Sequence, residues 1–139
     1  MTEPLLDRLF AAALQARENA YAPYSNFHVG VALLDETGHI HAGCNVENAA
    51  YPQGVCAEAG ALSAMVLAGG RRLAAVLVVG EGPRPVTPCG GCRQKLREFG
   101  DDALPILVAD PSGLRQRYTL GQLLPDSFGP EDLQKEAES

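Results

Sequence analysis

The chain has 139 residues, with 17 acidic and 11 basic side chains and a formal net charge of −6. That length fits a single domain spanning 1–139 rather than a catalytic domain plus a regulatory one, and the acidic balance argues against non-specific nucleic-acid binding. Leu, Ile, Val and Phe are frequent enough to build a core, no window approaches the ~20 apolar residues of a membrane span, and the acidic amphipathic N-terminus does not read as a signal peptide. A cytoplasmic location is expected. In that setting the 4 cysteines are metal ligands or free thiols rather than a disulfide framework.

Leu5, Leu6, Leu9, Phe10, Ala13 and Leu14 recur at helical spacing behind the candidate N-cap Thr2, which predicts an amphipathic helix over Leu5–Leu14. Pro23, Ser25 and Asn26 then favour a loop. Phe27–Asp35 and His39–Val46 flank a Gly-containing turn and predict an antiparallel hairpin, with His39 and His41 on a solvent-facing side. After an aperiodic stretch, Cys56–Leu67 reads as a buried helix stopped by Gly69-Gly70. The short apolar run Ala74–Gly80 fits a strand covered on both faces. A Pro- and Gly-rich loop, Glu81–Pro88, leads into a helix over Gly90–Phe99, followed by a buried strand, Pro105–Asp110, and an edge strand, Arg115–Thr119. Leu120–Leu124 would form a helical turn before a charged tail, 127–139, expected to be partly flexible.

This order predicts a three-layer α/β/α fold with a mixed five-stranded sheet, an antiparallel hairpin at its start and parallel strands in its middle. The helices beginning near Cys56 and Cys89 would start on the same edge of that sheet.

Cys89-Gly90-Gly91-Cys92 is a C-x-x-C knuckle preceded by Pro88, and Cys56-Ala57-Glu58 opens the other helix. Side by side, the two helix starts would bring three thiols together where the helix dipoles are positive, which is expected to lower their pKa values. Three sulfurs suit zinc, and a fourth position left open to water makes a catalytic site, whereas a closed structural site would need Cys44 or a histidine. Cys44, near a strand end, reads as a small buried hydrophobe. Glu58, two residues after Cys56, is placed beside such a metal and is the candidate proton carrier.

The Cys56-x-Glu58 and Pro88-Cys89-x-x-Cys92 pair matches the zinc-deaminase signature. Together with Tyr21–Gly30, Gly43–Ala49, Pro88–Gln94 and Leu123–Phe128, it resembles the small homotetrameric cytidine deaminases, from the first helix to about Phe128. The resemblance implies one zinc ion per subunit, held by Cys56, Cys89 and Cys92, with Glu58 as proton shuttle. It implies that Phe27 lies against the pyrimidine, that Ala57 is a further substrate-binding residue, that Asn45 and Glu47 hold a ribose hydroxyl, and that Tyr51 and Phe128 reach into a neighbouring subunit's pocket. An amide that donates and accepts beside a carboxylate that only accepts suits a hydroxyl.

The implied activity is hydrolytic deamination of cytidine and deoxycytidine in pyrimidine salvage, on a free nucleoside and without nucleic acid or membrane as partner. Another aminopyrimidine substrate, or a zinc-stabilised binding module without catalysis, are the alternatives. Family members commonly carry Arg after the glutamate, where this chain has Ala59. Arg93 and the two helix N-termini are then the candidates for offsetting the thiolate charge.

Overall fold

In the computed structural model, which describes residues 1–134, the chain forms α1 (Glu3–Glu18), β1 (Gly30–Asp35), β2 (Ile40–Cys44), α2 (Ala57–Leu67), β3 (Leu73–Val79), α3 (Gly90–Arg97), β4 (Pro105–Asp110), β5 (Gly113–Thr119) and α4 (Leu120–Leu123). Thr2 caps α1, its side-chain oxygen accepting from the Leu5 N–H at 3.3 Å. The helix runs one turn further at its C-terminus than the apolar spacing predicts. Arg17 in that turn donates to the His28 carbonyl at 3.1 Å, tying it to the chain entering β1.

The five strands lie in the order β2-β1-β3-β4-β5. β1 pairs antiparallel with both β2 and β3, β3 and β4 are parallel, and β5 is antiparallel to β4. The expected parallel arrangement therefore holds at β3 and β4. β2 and β3 also run in the same direction, but they are not neighbours as expected, because the connection through α2 leaps over β1 and leaves β1 antiparallel to both.

Alternation along the central strands sends side chains to two cores. Val31, Leu33, Val76, Val78 and Ile106 pack with Ala61, Met65 and Leu96 from α2 and α3, while Ala32, Leu34, Leu77 and Leu107 pack with Leu9 and Ala13 from α1. Three layers result, with α1 alone on one face and α2 with α3 on the other.

Glycine permits the close seating of helices on this sheet. A Cβ on Gly43 would lie 2.4 Å from the Ala61 nitrogen and 2.7 Å from the Ala57 oxygen, so only glycine lets β2 press against the first turns of α2. On the opposite face Gly30 stands in the same relation to α1, where a Cβ would fall 2.0 Å from the Ala13 oxygen.

The hairpin turn carries a polar cluster that departs from the solvent-facing expectation for His41. Asp35 is buried, and its Oδ2 lies 2.7 Å from His41 Nε2, while its Oδ1 accepts from Thr37 N, Thr37 Oγ1 and His39 N at 2.8, 2.7 and 3.1 Å. A buried carboxylate needs these donors, and the His41 side chain is drawn in, 10% exposed, to supply one of them. His39 stays exposed.

Beyond α4 the chain turns back along α3: Gln94 Nε2 donates to the Phe128 carbonyl at 2.8 Å and Arg97 Nε to Ser127 Oγ at 2.8 Å. The order of the tail over 135–139 lies outside the described residues. Among the described residues, no helix is long and apolar enough to cross a membrane.

Candidate metal centre and active site

Cys56 and Cys89 are the N-cap residues of α2 and α3, and Cys92 lies in the first turn of α3. Because β2 and β3 run in the same direction, both helices start at one edge of the sheet, and the three sulfurs lie within 4.8 Å of one another. Tetrahedral zinc with sulfur bonds of about 2.3 Å separates its thiolates by roughly 3.8 Å, so this donor set fits zinc. Cys44 and the histidines do not join the cluster. Cys44 ends β2 and is half-buried, without a fourth-ligand role.

Taken by themselves, the three thiols do not all ionise readily, which corrects the expectation that helix dipoles lower each of them. Burial pushes Cys92 far up, and the nearby Glu58 and Cys56 charges add to that; burial also raises Cys56. Only Cys89 falls below the ordinary thiol value, because hydrogen bonding from Cys92 and Cys56 outweighs its burial. Three anions crowded at one point repel each other, and a divalent cation relieves that repulsion.

Glu58, in the first turn of α2, is 5% exposed. Burial raises its carboxyl, offset in part by its own backbone N–H, by Cys92 and by the charge of Lys95. A cavity of about 200 Å³ opens in front of it, lined by Phe27, Asn45, Cys56, Ala57, Glu58 and Cys89, with Val29, Val78, Val86 and Thr87 completing the wall.

Asn45 sets the rim of this cavity. Its Oδ1 accepts from Val29 N at 2.9 Å and its Nδ2 donates to the Phe27 carbonyl at 2.8 Å, which fixes the extended segment that presents the Phe27 ring. Glu47 sits next door, in a second cavity of about 320 Å³ with Tyr24, Ser25, Asn48, Tyr51 and Gly54. Its Oε1 accepts from Tyr24 N and Ser25 N at 3.0 and 3.2 Å, and its other oxygen pairs with Ser25 Oγ. The Ser25 hydroxyl and these backbone N–H groups keep the Glu47 carboxyl below its ordinary value.

The structure thus gathers Phe27, Asn45, Ala57 and Glu58 around the sulfurs and brings Glu47 and Tyr51 to an adjoining pocket. Phe128 stands apart, beside Gln94, Gly129 and Leu133, and its ring is 58% exposed. Tyr51 is 75% exposed. Val86 and Thr87, which line the cavity, went unnoticed in the sequence; their only signal is that they directly precede Pro88-Cys89.

Arg93 does not bond the sulfurs, as a thiolate-compensating role would lead one to expect. Its Nε donates to the Pro88 carbonyl at 2.6 Å, Nη1 to the Leu123 carbonyl at 2.7 Å and Nη2 to Thr87 Oγ1 at 3.0 Å. The planar fork is spent on backbone and hydroxyl acceptors that hold the loop before Cys89 against the end of α4.

Fold and site together define a class: α/β proteins in which three cysteines at two helix starts converge in a donor set that fits zinc, beside a buried carboxylate. Residues 5–108 match the family model described as the cytidine and deoxycytidylate deaminase zinc-binding region, and the chain belongs to that family. It is 44% identical to the cytidine deaminase of Sporosarcina psychrophila over 133 residues, 96% of this chain and 98% of the relative. Its fold is similar to the 1.6 Å crystal structure of cytidine deaminase from Burkholderia pseudomallei, with a TM-score of 0.82 and 46% identity over 92% of this chain and 100% of that one. The cytidine deaminase of Mycobacterium tuberculosis is also similar, with a TM-score of 0.76 and 42% identity over 88% of this chain and 96% of that one.

Proposed function

We propose that this chain is a zinc-dependent hydrolase that deaminates cytidine and deoxycytidine to uridine and deoxyuridine with release of ammonia, in pyrimidine salvage. The observation that carries this reading is the convergence of three cysteine sulfurs within 4.8 Å beside the buried Glu58, at the floor of a cavity walled by Phe27 and Asn45. Cys56, Cys89 and Cys92 hold one zinc ion per subunit. Bound there, zinc supplies a Lewis acid that makes water a nucleophile near neutral pH.

Glu58 is the proton carrier. Its carboxylate takes a proton from the attacking water and passes it to the ring nitrogen beside the amine-bearing carbon. It then moves the second water proton to the leaving amine. A carbon–oxygen bond forms, the exocyclic carbon–nitrogen bond breaks, and the water is divided between uridine and ammonia. Its burial beside the reacting groups suits this role, since a carboxyl raised above its ordinary value accepts a proton more readily and can hold it nearer neutral pH until it is passed on.

Phe27 and Ala57 bound the pyrimidine, and Asn45 with Glu47 recognises a ribose hydroxyl. Glu47 is held ionised and oriented by the Tyr24–Ser25 backbone, which suits an acceptor-only partner. Tyr51 and Phe128, large and exposed, reach into the pocket of a neighbouring subunit, so that a homotetramer of single-domain chains spanning 1–139 is the working unit. The enzyme is cytoplasmic, and free nucleosides rather than nucleic acid or membranes are its partners.

Ultraviolet absorbance of cytidine and of deoxycytidine, followed with purified protein before and after a zinc chelator, tests the assignment. The nucleoside signal should decay, stop with chelator and resume when zinc is restored. No decay with zinc-loaded protein would sink it.

A further inference from the structure

The loop 81–88 folds back over the end of β3, and one contact fixes where it lies. Gly80 continues that strand past Val79, its N–H donating to the Ala109 carbonyl at 3.1 Å. By alternation it faces the same side as Val76 and Val78, toward α2 and α3. A Cβ there would fall 2.9 Å from both Cβ and Cγ1 of Val86 and 3.1 Å from its Cγ2. Val86 therefore occupies the place that a side chain on the strand would take, with sheet backbone directly behind it.

From that seat Val86 joins Phe27, Val29 and Val78 in the apolar wall of the cavity of about 200 Å³ in front of Glu58. The wall has two ends. The Phe27 carbonyl and the Val29 N–H are bound to the Asn45 side chain, at 2.8 and 2.9 Å. Val86 precedes Cys89 by three residues and so belongs to the end nearer the sulfurs.

A pyrimidine nucleoside meets such a cavity with unlike edges. O2, N3 and the exocyclic amine form hydrogen bonds, whereas C5 and C6 carry only hydrogen. With the amine-bearing carbon at Glu58 and the sugar at Asn45, N3 faces the proton carrier. The C5–C6 edge is then left to the apolar wall, where no polar group loses a partner. C6 adjoins the sugar-bearing nitrogen and falls beside Phe27 and Val29; C5 adjoins the reacting carbon and falls beside Val86.

We propose that Val86 is the specificity-determining residue for position 5 of the pyrimidine, leaving room for hydrogen and resisting larger substituents. The proposal rests on the reading of this chain as a cytidine deaminase. A side chain backed by strand backbone has no space to retreat into, so a methyl group on C5 meets a wall that does not yield. Val86 touches the ring and takes no part in the proton transfers.

The test measures kcat/KM for cytidine and for 5-methylcytidine with wild type, Val86→Ala, Val86→Ile and Gly80→Ala, with melting temperature reporting the fold. Taking the ratio of the two substrates on one protein cancels any loss of folded or metal-loaded enzyme, and comparing ratios between proteins cancels the electronic effect of the methyl group. Val86→Ala should raise the 5-methylcytidine to cytidine ratio by about tenfold, the low end for one methyl-sized change in an apolar pocket. Val86→Ile should lower it, and so should Gly80→Ala, whose added Cβ drives Val86 toward the cavity. An unchanged ratio in Val86→Ala would overturn the role, as would wild type that turns over both nucleosides equally well. If Val86→Ala does not fold, an unchanged ratio in Val86→Ile overturns it alone. Wild type that turns over neither nucleoside would overturn the deaminase reading itself, which separates that failure from this one.

Discussion

Cys56 and Cys89 stand in equivalent positions: each is the N-cap of its helix, with extended backbone at ψ 155° and 167°. The sulfurs are turned toward one another and toward Cys92. A position where most helices place a side-chain acceptor for their own first turn is given over to a shared ligand set.

Serine at Cys89 should therefore separate two effects. It caps helices well, so Cys89→Ser should stabilise the metal-free protein by about 0.5–1 kcal/mol while it removes a zinc ligand. Zinc content by atomic absorption should collapse while the chelator-treated variant melts no lower than chelator-treated wild type. Retained stoichiometric zinc would count against Cys89 as a ligand.

Glu58→Gln keeps the size and hydrogen-bonding reach of the side chain but cannot carry protons. Zinc content should stay at the wild-type level and kcat should fall by about 100- to 10,000-fold, the range for loss of general acid–base catalysis. Near-normal turnover would remove Glu58 from its role.

Arg93 ties three acceptors with a planar fork, and lysine cannot reproduce that geometry. Arg93→Lys should lower stability by about 1–3 kcal/mol in urea unfolding even though the charge is kept. If its contribution were charge alone, the lysine variant would unfold like wild type.

Asp35 gives a pH dependence with a definite sign. Burial by itself would raise its carboxyl, but the bonds from His41, Thr37 and His39 hold it well below the usual carboxylate range. Its stabilisation is therefore complete above the unfolded value of about 3.9 and disappears as pH falls through the depressed folded value. Urea unfolding across that acid range should show wild type losing stability more steeply than Asp35→Asn. Parallel curves would mean the cluster contributes nothing to acid sensitivity.

The strands, the helices and the cysteine cluster were legible because each rests on local pattern. The Gly-containing turn marks the hairpin of β1 and β2, the uninterrupted apolar run marks β3, and Cys89-Gly90-Gly91-Cys92 carries its own spacing. What the sequence hid depends on distant partners. Arg93 reads as a cation free to face the thiolates until Leu123, 30 residues away, takes one of its donors. His41 reads as a surface residue because alternation says nothing of a buried Asp35 that needs a donor. The antiparallel pairing of β1 with β3 stayed hidden because it follows from where the α2 crossover lands, a choice no short window contains. Of the proposed substrate contacts, Phe27, Asn45 and Ala57 fall around one cavity, Glu47 and Tyr51 line an adjoining one, and Phe128 lies away from both.

The bond from Arg93 to the Leu123 carbonyl also bears on the order in which the centre can be made. The knuckle loop is braced by a group that follows β4 and β5 in the chain, so the ligands at Cys89 and Cys92 reach their final rigidity only after that last pair of strands has closed. During synthesis an emerging chain presents all three thiols well before it presents the brace. The loop that carries Cys89 and Cys92 is therefore braced only once the sheet's far edge is in place.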